Sequence, residues 1–331
     1  MTDSNPQPSL SQRINIATRP LHTQLNASII SLLPLALPPH TLHPNPYSDG
    51  ISHILPIYEA IEGAFRVLQA WSESEKDNRT NRVLLEALKD LPISQLARAN
   101  RLKKDIERLC QQCTTKTSDL RNFHETRRNN CPKLKHFVHH IKTSISDQIH
   151  LLLPYTWILY MALFSGGRYI RSTLQQAGPE FWLGPEKRNF TNVDDVLSFW
   201  TFEGDEDGKD IQKEFKHRFA EVEALLTEEQ KQEVVQEGKF IMNSMGSVVQ
   251  EIAEVVGTNC SKIHVTRKSG GQSAEMTAQQ QPEYDPSMQQ LLLKHILPMG
   301  MVELIAGAAS LVQGALRPWY QNIASVEAEV P

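Results

Sequence analysis

An all-α fold follows from three observations on this 331-residue chain. Apolar residues recur at helical spacing over long stretches. Strand-like alternation is scarce, and β-branched runs bounded by turns are nearly absent. The breaks between periodic stretches are short clusters of proline, glycine and charge. The spacing predicts helices over 9–33, 51–71, 82–112, 117–127, 133–149, 152–177, 208–224 and 228–256. The first, "SLSQRINIATRPLHTQLNASI", sets Ile14, Ala17, Leu21, Leu25 and Ile29 along one side, with His22 beside that face. Proline-rich 33–50 reads as loop, 73–81 as a charged connector, and 129–133 and 178–189 as turn chemistry. Residues 266–287 are poor in bulky apolar side chains and read as a disordered linker. The organisation expected is one helical domain over 9–256, a linker over 257–288 and a hydrophobic tail helix over 289–318.

The composition sets limits. A net charge of −4 gives no reason to expect nucleic acid as a partner. Four cysteines are too few and too scattered for a disulfide framework. The polar N-terminus lacks the apolar core of a signal peptide, so an intracellular, reducing compartment is expected. The tail segment "ILPMGMVELIAGAASLVQGAL", residues 296–316, is long enough to span a bilayer and carries one charge, Glu303. Gly300, Gly307 and Gly314 form a small-residue stripe of the kind that lets membrane helices approach closely. Glu303, Pro298 and Gln313 weaken the span. The segment reads as a tail anchor, and a soluble helix docked on the domain is the alternative.

The least expected feature is "LFSGGRYIR", residues 163–171. Two adjacent glycines interrupt an apolar helical pattern of Leu152, Tyr155, Leu159, Leu163, Ile170 and Leu174, and each should cost roughly 0.5–1 kcal/mol relative to alanine. On one straight helix, Leu159, Ala162, Leu163, Gly166, Gly167, Ile170 and Leu174 share a face with a bare backbone patch. Either a neighbouring helix or a flat, bulky ligand would lie close against it. A histidine near an apolar face is ordinarily a satisfied core residue. Opposite a glycine-bared helix, a neutral imidazole such as that of His22 is what heme iron takes as its proximal ligand.

Together "ATRPLHTQLN" and "YTWILYMALFSGGRYIR" resemble the heme oxygenases, most closely their fungal branch. The likeness extends to "LPIYEAIEGAF" (55–65) and "FWTFEGDEDGKDIQKEFKHRF" (199–219), and covers roughly residues 9–256. Residues 72–135 fit loosely and look expanded. The resemblance implies a single compact multi-helix domain holding heme between a proximal and a kinked distal helix. It implies His22 as the ligand to iron, and Ser165, Gly166 and Gly167 in the catalytic distal helix. Arg19 and Lys216, with Arg218 nearby, match the basic residues that hold heme propionates. The implied activity is oxidative cleavage of heme by O2 to biliverdin, releasing CO and iron. Since the chain has no flavin or nicotinamide fingerprint, an NADPH-dependent reductase would supply electrons, and the tail would anchor the protein to the endoplasmic reticulum membrane.

Several positions depart from the family pattern. Ala162 and Leu163 stand where a glycine and an aspartate are usual, and that aspartate organises the water that delivers protons. Asn15 and Gln212 stand at propionate positions, and Asn26 where a carboxylate often lies near the ligand. Pro20 removes a backbone donor and should kink the proximal helix. Heme binding without efficient turnover, as a buffer or sensor, is therefore a second reading, and a helical interaction module without heme is a third. The weaker motifs are read blandly. Cys110 and Cys113, with His124 and Cys131, lack the context of a zinc knuckle. Cys131-Pro132 matches the dipeptide of heme-responsive segments but is too short a signal. "HFVHH" (136–140) reads as a solvated face and "KSGGQS" (268–273) as linker.

Overall fold

The computed structural model describes residues 7–70, 79–111, 130–184 and 192–267, all within one compact unit. No strand occurs among the described residues. The helices are α1 (Leu10–Leu32), α2 (Asn45–Ser52), α3 (Leu55–Ala70), α4 (Arg79–Lys89), α5 (Ile93–Leu96), α6 (Ala99–Gln111) and α7 (Pro132–Asp147). A broken distal segment follows: α8 (Leu152–Tyr155), a π-helical turn (Thr156–Tyr160), α9 (Met161–Phe164) and α10 (Gly166–Gln176). The last helices are α11 (Gly178–Leu183), α12 (Lys209–Glu223) and α13 (Glu228–Arg267).

Local chemistry starts α1. Ser9 and Gln12 form a reciprocal capping box, and the helix runs through Pro20 as one element. Distant carboxylates also hold the starts of α1, α6 and α7. Glu223 of α12 accepts the Leu10 N–H at 2.6 Å. Glu62 of α3 accepts the N–H groups of Arg98 and Ala99 at 2.6 and 3.0 Å, at the start of α6. Glu251 of α13 accepts those of Lys133 and Leu134 at 2.8 and 3.0 Å, at the start of α7. A helix N-terminus presents unpaired donors and partial positive charge, so each carboxylate binds two helices together as it satisfies them. The core between is dominated by Ile14, Ile57, Ile61, Leu88, Phe137, Tyr155, Tyr160, Trp182, Phe215 and Phe219.

Four boundaries differ from the periodicity. The proline-rich stretch 33–50 holds a 3-10 turn, Leu33–Ala36, and the start of α2, because prolines occupy first-turn positions where no donor is missed. The stretch 82–112 is three helices, interrupted at Pro92. Within 178–189, "GPEFWL" is helical: the Trp182 indole donates to the Leu174 carbonyl at 2.7 Å, and Gly184 at φ 69° ends the turn. The backbone of α13 stays helical to Arg267, past the expected boundary at 256. Residues 117–127, the remaining linker and the tail at 289–318 lie outside the described residues, as do Cys113 and His124. No single described helix is long and apolar enough to cross a membrane.

Asp105 on α6 repeats the capping device, accepting the Ser198 hydroxyl at 2.5 Å and the Phe199 N–H at 2.7 Å. Burial raises its pKa from 3.8 to about 6, against the opposing pull of those hydrogen bonds. A folded-state pKa above the unfolded one gives a contribution fully present below about pH 4 and lost as pH rises through 6, on the order of 3 kcal/mol at most. Melting curves of the wild type and Asp105→Asn from pH 4 to 7 should therefore diverge, with the variant gaining on the wild type as pH rises. Parallel curves would mean that the Asp105 pKa is the same in the folded and unfolded states.

Candidate functional site

Three helices meet at Trp157. Its indole N–H donates to Asn15 Oδ1 of α1 at 3.0 Å, and its ring packs on Phe219 and Phe215 of α12, with centroids 4.8 and 6.3 Å away. Asn15, expected only as a lost propionate charge, thus joins α1 to the distal segment. On the far side of this corner, a Cβ added to Gly238 of α13 would lie 3.5 Å from Ile14 and Ile158 and 3.6 Å from Thr18. A bare backbone there lets α13 close against both elements.

The direction of each element away from the corner follows from its contacts along α12. Leu10 meets the C-terminal end of α12 at Glu223, and Asn15 reaches the level of Phe219 through Trp157. Along the distal segment, Trp157 meets Phe215 and Phe219, while Phe164 lies at the opposite end, beside Gly208. Both elements therefore run against α12 and advance in the same direction. Two turns beyond Asn15 lies His22, and a similar advance beyond Trp157 reaches Ala162–Gly166. Arg19 of α1 and Lys216 of α12 each lie about one turn from the corner. His22, Arg19, Ala162, Ser165 and Lys216 are exposed, and Gly166 is half-buried.

Solvent reaches the His22 ring, yet enough protein atoms crowd it that desolvation lowers its pKa below 6.5, as at the wall of a cleft. Its Nδ1 lies 3.3 Å from the Asn26 side-chain amide. With that amide turned end for end, Asn26 Oδ1 accepts the Nδ1–H and leaves the Nε2 lone pair free for a metal. Neither Arg19 nor Lys216 has a carboxylate partner among the described residues, so both are free to meet an anionic ligand. Arg218 is not: Glu214 and Glu221 of its own helix hold it at 2.7 and 3.1 Å.

The expected single helix over 152–177 is broken. The break falls at Ser165 (φ −113°, ψ −88°), and the two flanking stretches meet at 41°. The glycines open the next helix, and their surroundings differ. A Cβ on Gly166 would meet nothing within 4 Å. On Gly167 it would lie 3.4 Å from both the Trp200 ring and the Ala162 carbonyl. The face read as continuous is split by burial: Leu159, Leu163 and Leu174 enter the core, while Ala162 stays open.

Leu163, at 3% exposure, does not line the open side. A buried polar group that periodicity missed lies behind the distal segment. Tyr58 donates to the Leu159 carbonyl at 3.1 Å, and Tyr160 donates to Glu62 at 3.3 Å. The Arg98 guanidinium is fully buried 4.3 Å over the Phe202 ring, with Nε and Nη2 unpartnered. Burial drops its pKa to about 10. Only the charged residue types in an apolar pattern could have signalled this group. "HFVHH" is also more engaged than a solvated face: Phe137 is in the core, and His140 meets Glu237 at 2.8 Å. Cys131 is buried at the start of α7. A groove of about 950 Å³ opens near Val67, Lys142 and His150, but its walls include none of the candidate residues.

The heme oxygenase family model matches residues 8–251, and the chain belongs to that family. Heme-binding protein HMX1 of Saccharomyces cerevisiae is 26% identical over 253 residues, covering 75% of this chain and 76% of that protein. Among solved structures, heme oxygenase 2 from Chlamydomonas reinhardtii without heme superposes with a TM-score of 0.54 at 16% identity, over 73% of this chain and 97% of that one. Heme oxygenase-2 from Synechocystis in complex with heme and NO gives 0.53 at 16% identity, over 80% and 95%. The all-α fold of the family is thereby established for this chain.

The two glycines should respond differently to a larger side chain. Gly166→Leu should leave the apo protein as stable as before, or more stable by several tenths of a kcal/mol, because leucine is the better helix former. Gly167→Leu should cost about 1–3 kcal/mol by overfilling the contact with Trp200. Thermal melts of the two apo variants check this; equal losses would mean that Gly166 also faces protein.

Proposed function

We propose that the chain binds heme between α1 and the distal segment, with His22 as the axial ligand to iron, and cleaves it to biliverdin, CO and iron. O2 and electrons from a separate NADPH-dependent reductase would be consumed. The observation that carries this reading is the pairing of Gly166, whose Cβ would meet open space, with a half-enclosed imidazole of lowered pKa on a neighbouring helix running in the same direction. The residues fit the ligand: a nitrogen donor, a bare backbone, and two cations, unpaired among the described residues, for two carboxylates.

Bound heme supplies the redox-active iron at which O2 is activated. The chain supplies the rest. Asn26 holds the His22 tautomer. Arg19 and Lys216 form charge-assisted bonds to the propionates and orient the ring. Because Leu163 carries no proton, polar groups on the distal backbone must serve instead. Ser165, whose hydroxyl donates to the Met161 carbonyl at 3.4 Å, lies on the open edge, and Tyr58 reaches the Leu159 carbonyl from behind. That same leucine favours a second reading, heme binding with little turnover; the yeast relative is named a heme-binding protein.

Absorbance after adding hemin, then NADPH and a reductase, separates these. Loss of the heme spectrum with a growing bilin band supports the oxygenase, and a stable spectrum supports the binding protein. His22→Ala should abolish the imidazole-ligated signature; an unchanged spectrum would mean that another residue ligates the iron and would overturn His22 as the axial ligand.

We also propose residues 296–316 as the anchor to the endoplasmic reticulum membrane. Deleting 288–331 should then move the protein from the membrane fraction to the soluble one with heme binding intact. Full-length protein soluble without detergent or a partner would count against it.

A further inference from the structure

The Ser165–Gly166 step has protein holding it on both sides, while a Cβ on Gly166 would meet nothing within 4 Å. Upstream, Phe164 stacks on Phe202, with centroids 4.2 Å apart and rings 14° from parallel. Downstream, Gly167 lies against Trp200. One turn into α10, Arg171 makes a two-pronged ion pair with Asp207, Nη1 to Oδ1 at 2.8 Å and Nη2 to Oδ2 at 2.6 Å. Arg168 donates to the Asp207 carbonyl at 2.5 Å, and its Nε lies 3.2 Å from Oδ2. Trp200, Phe202 and Asp207 all belong to one short stretch, 200–208.

That stretch is shaped for the grip. Asp207 adopts φ 49°, and Gly208 follows at φ 74°. A Cβ on Gly208 would lie 2.6 Å from Phe202 and 2.9 Å from Phe164, so only glycine lets the two rings stack there. Asp207 is the one carboxylate that both arginines share. Paired, bidentate and two-thirds enclosed, it differs from an isolated surface ion pair, which would contribute little. Without its charge, two cations three residues apart on α10 would lose the counter-ion they share, and the 200–208 stretch would lose its hold on α10.

We propose that Asp207 is a positioning residue: it latches α10 to the 200–208 stretch, sets the angle of the distal step, and so sets how closely Gly166 covers the cleft. The effect on ligands rests on the heme reading above; the latch itself does not. Two readouts keep them apart. In the apo protein, Asp207→Asn should speed amide exchange over 163–171 by roughly tenfold and leave α1 and α13 unchanged. Asp207→Glu, which keeps the charge, should restore most of the protection. In the ferric heme complex, the loosened cover should let imidazole bind roughly tenfold more tightly in Asp207→Asn, while CO affinity of the ferrous complex changes little, since only the bulky ligand needs the extra height. A uniform loss of structure would weaken both. If Asp207→Asn does not fold, Asp207→Glu is read in the same two ways, with smaller shifts of the same sign. Unchanged exchange over 163–171 overturns the latch. Faster exchange in Asp207→Asn than in the wild type, with neither protein binding hemin, keeps the latch and overturns the heme reading.

Discussion

The start of a buried helix presents N–H groups with no partner inside the helix, and leaving even one unsatisfied costs about 1–3 kcal/mol. In this chain Glu223, Glu62, Glu251 and Asp105 meet that need from other elements, at the starts of α1, α6, α7 and the 3-10 turn Ser198–Trp200. Each of these bonds also fixes where one helix lies relative to another. The bond from Leu10 to Glu223 is the one on which the site depends, because it sets α1 against α12. With the indole of Trp157 joining Asn15 to the distal segment, that bond makes α12 a common edge. His22 and the Ser165–Gly166 step then advance along it together.

The distal segment is held in an unfavourable shape by the same means. A π-helical turn, a short α-helix and a broken step at Ser165 would not persist in an isolated peptide, where a regular helix leaves fewer backbone groups unmet. The shape persists because its surroundings determine it from every side. Gly238 and Asn15 hold the π turn, Tyr58 takes the Leu159 carbonyl, Phe202 lies on Phe164, and Asp207 ties down both arginines of α10. At Gly166, by contrast, a Cβ would meet open space. An apolar core alone would have closed over such a spot. The polar and charged contacts around it keep the backbone apart from other protein and leave one face open.

Charge placement follows a similar division. The buried guanidinium of Arg98, with two unpartnered nitrogens, lies behind the distal segment near Glu62 and the two tyrosines, in surroundings that penalise the ion. The cations on the open side, Arg19 and Lys216, have no carboxylate partner among the described residues and lose little by it in solvent, which leaves them available to a ligand's carboxylates. Arg218, two residues from Lys216 in sequence, is neutralised within its own helix. Three basic residues equivalent by type therefore differ entirely in what they can bind.

The sequence by itself determined what depends on local periodicity and residue type. Helical class, most helix positions, His22 beside an apolar face and an unusual pair of glycines are all legible in it, because spacing along a helix dictates facing. It also carried the family resemblance, through the His22 and Ser-Gly-Gly stretches. Only the tertiary structure decided which neighbour each of these residues meets. Gly166 and Gly167 are identical in type and adjacent in sequence, yet one faces open space and the other the ring of Trp200, more than thirty residues away. Asn15 looked like a lost charge and is a structural acceptor, while Asp207 gave no signal until Arg168 and Arg171 were seen to converge on it. The physical reason is the same each time: burial, pairing and open space belong to contacts between distant segments, and no local pattern encodes the partner.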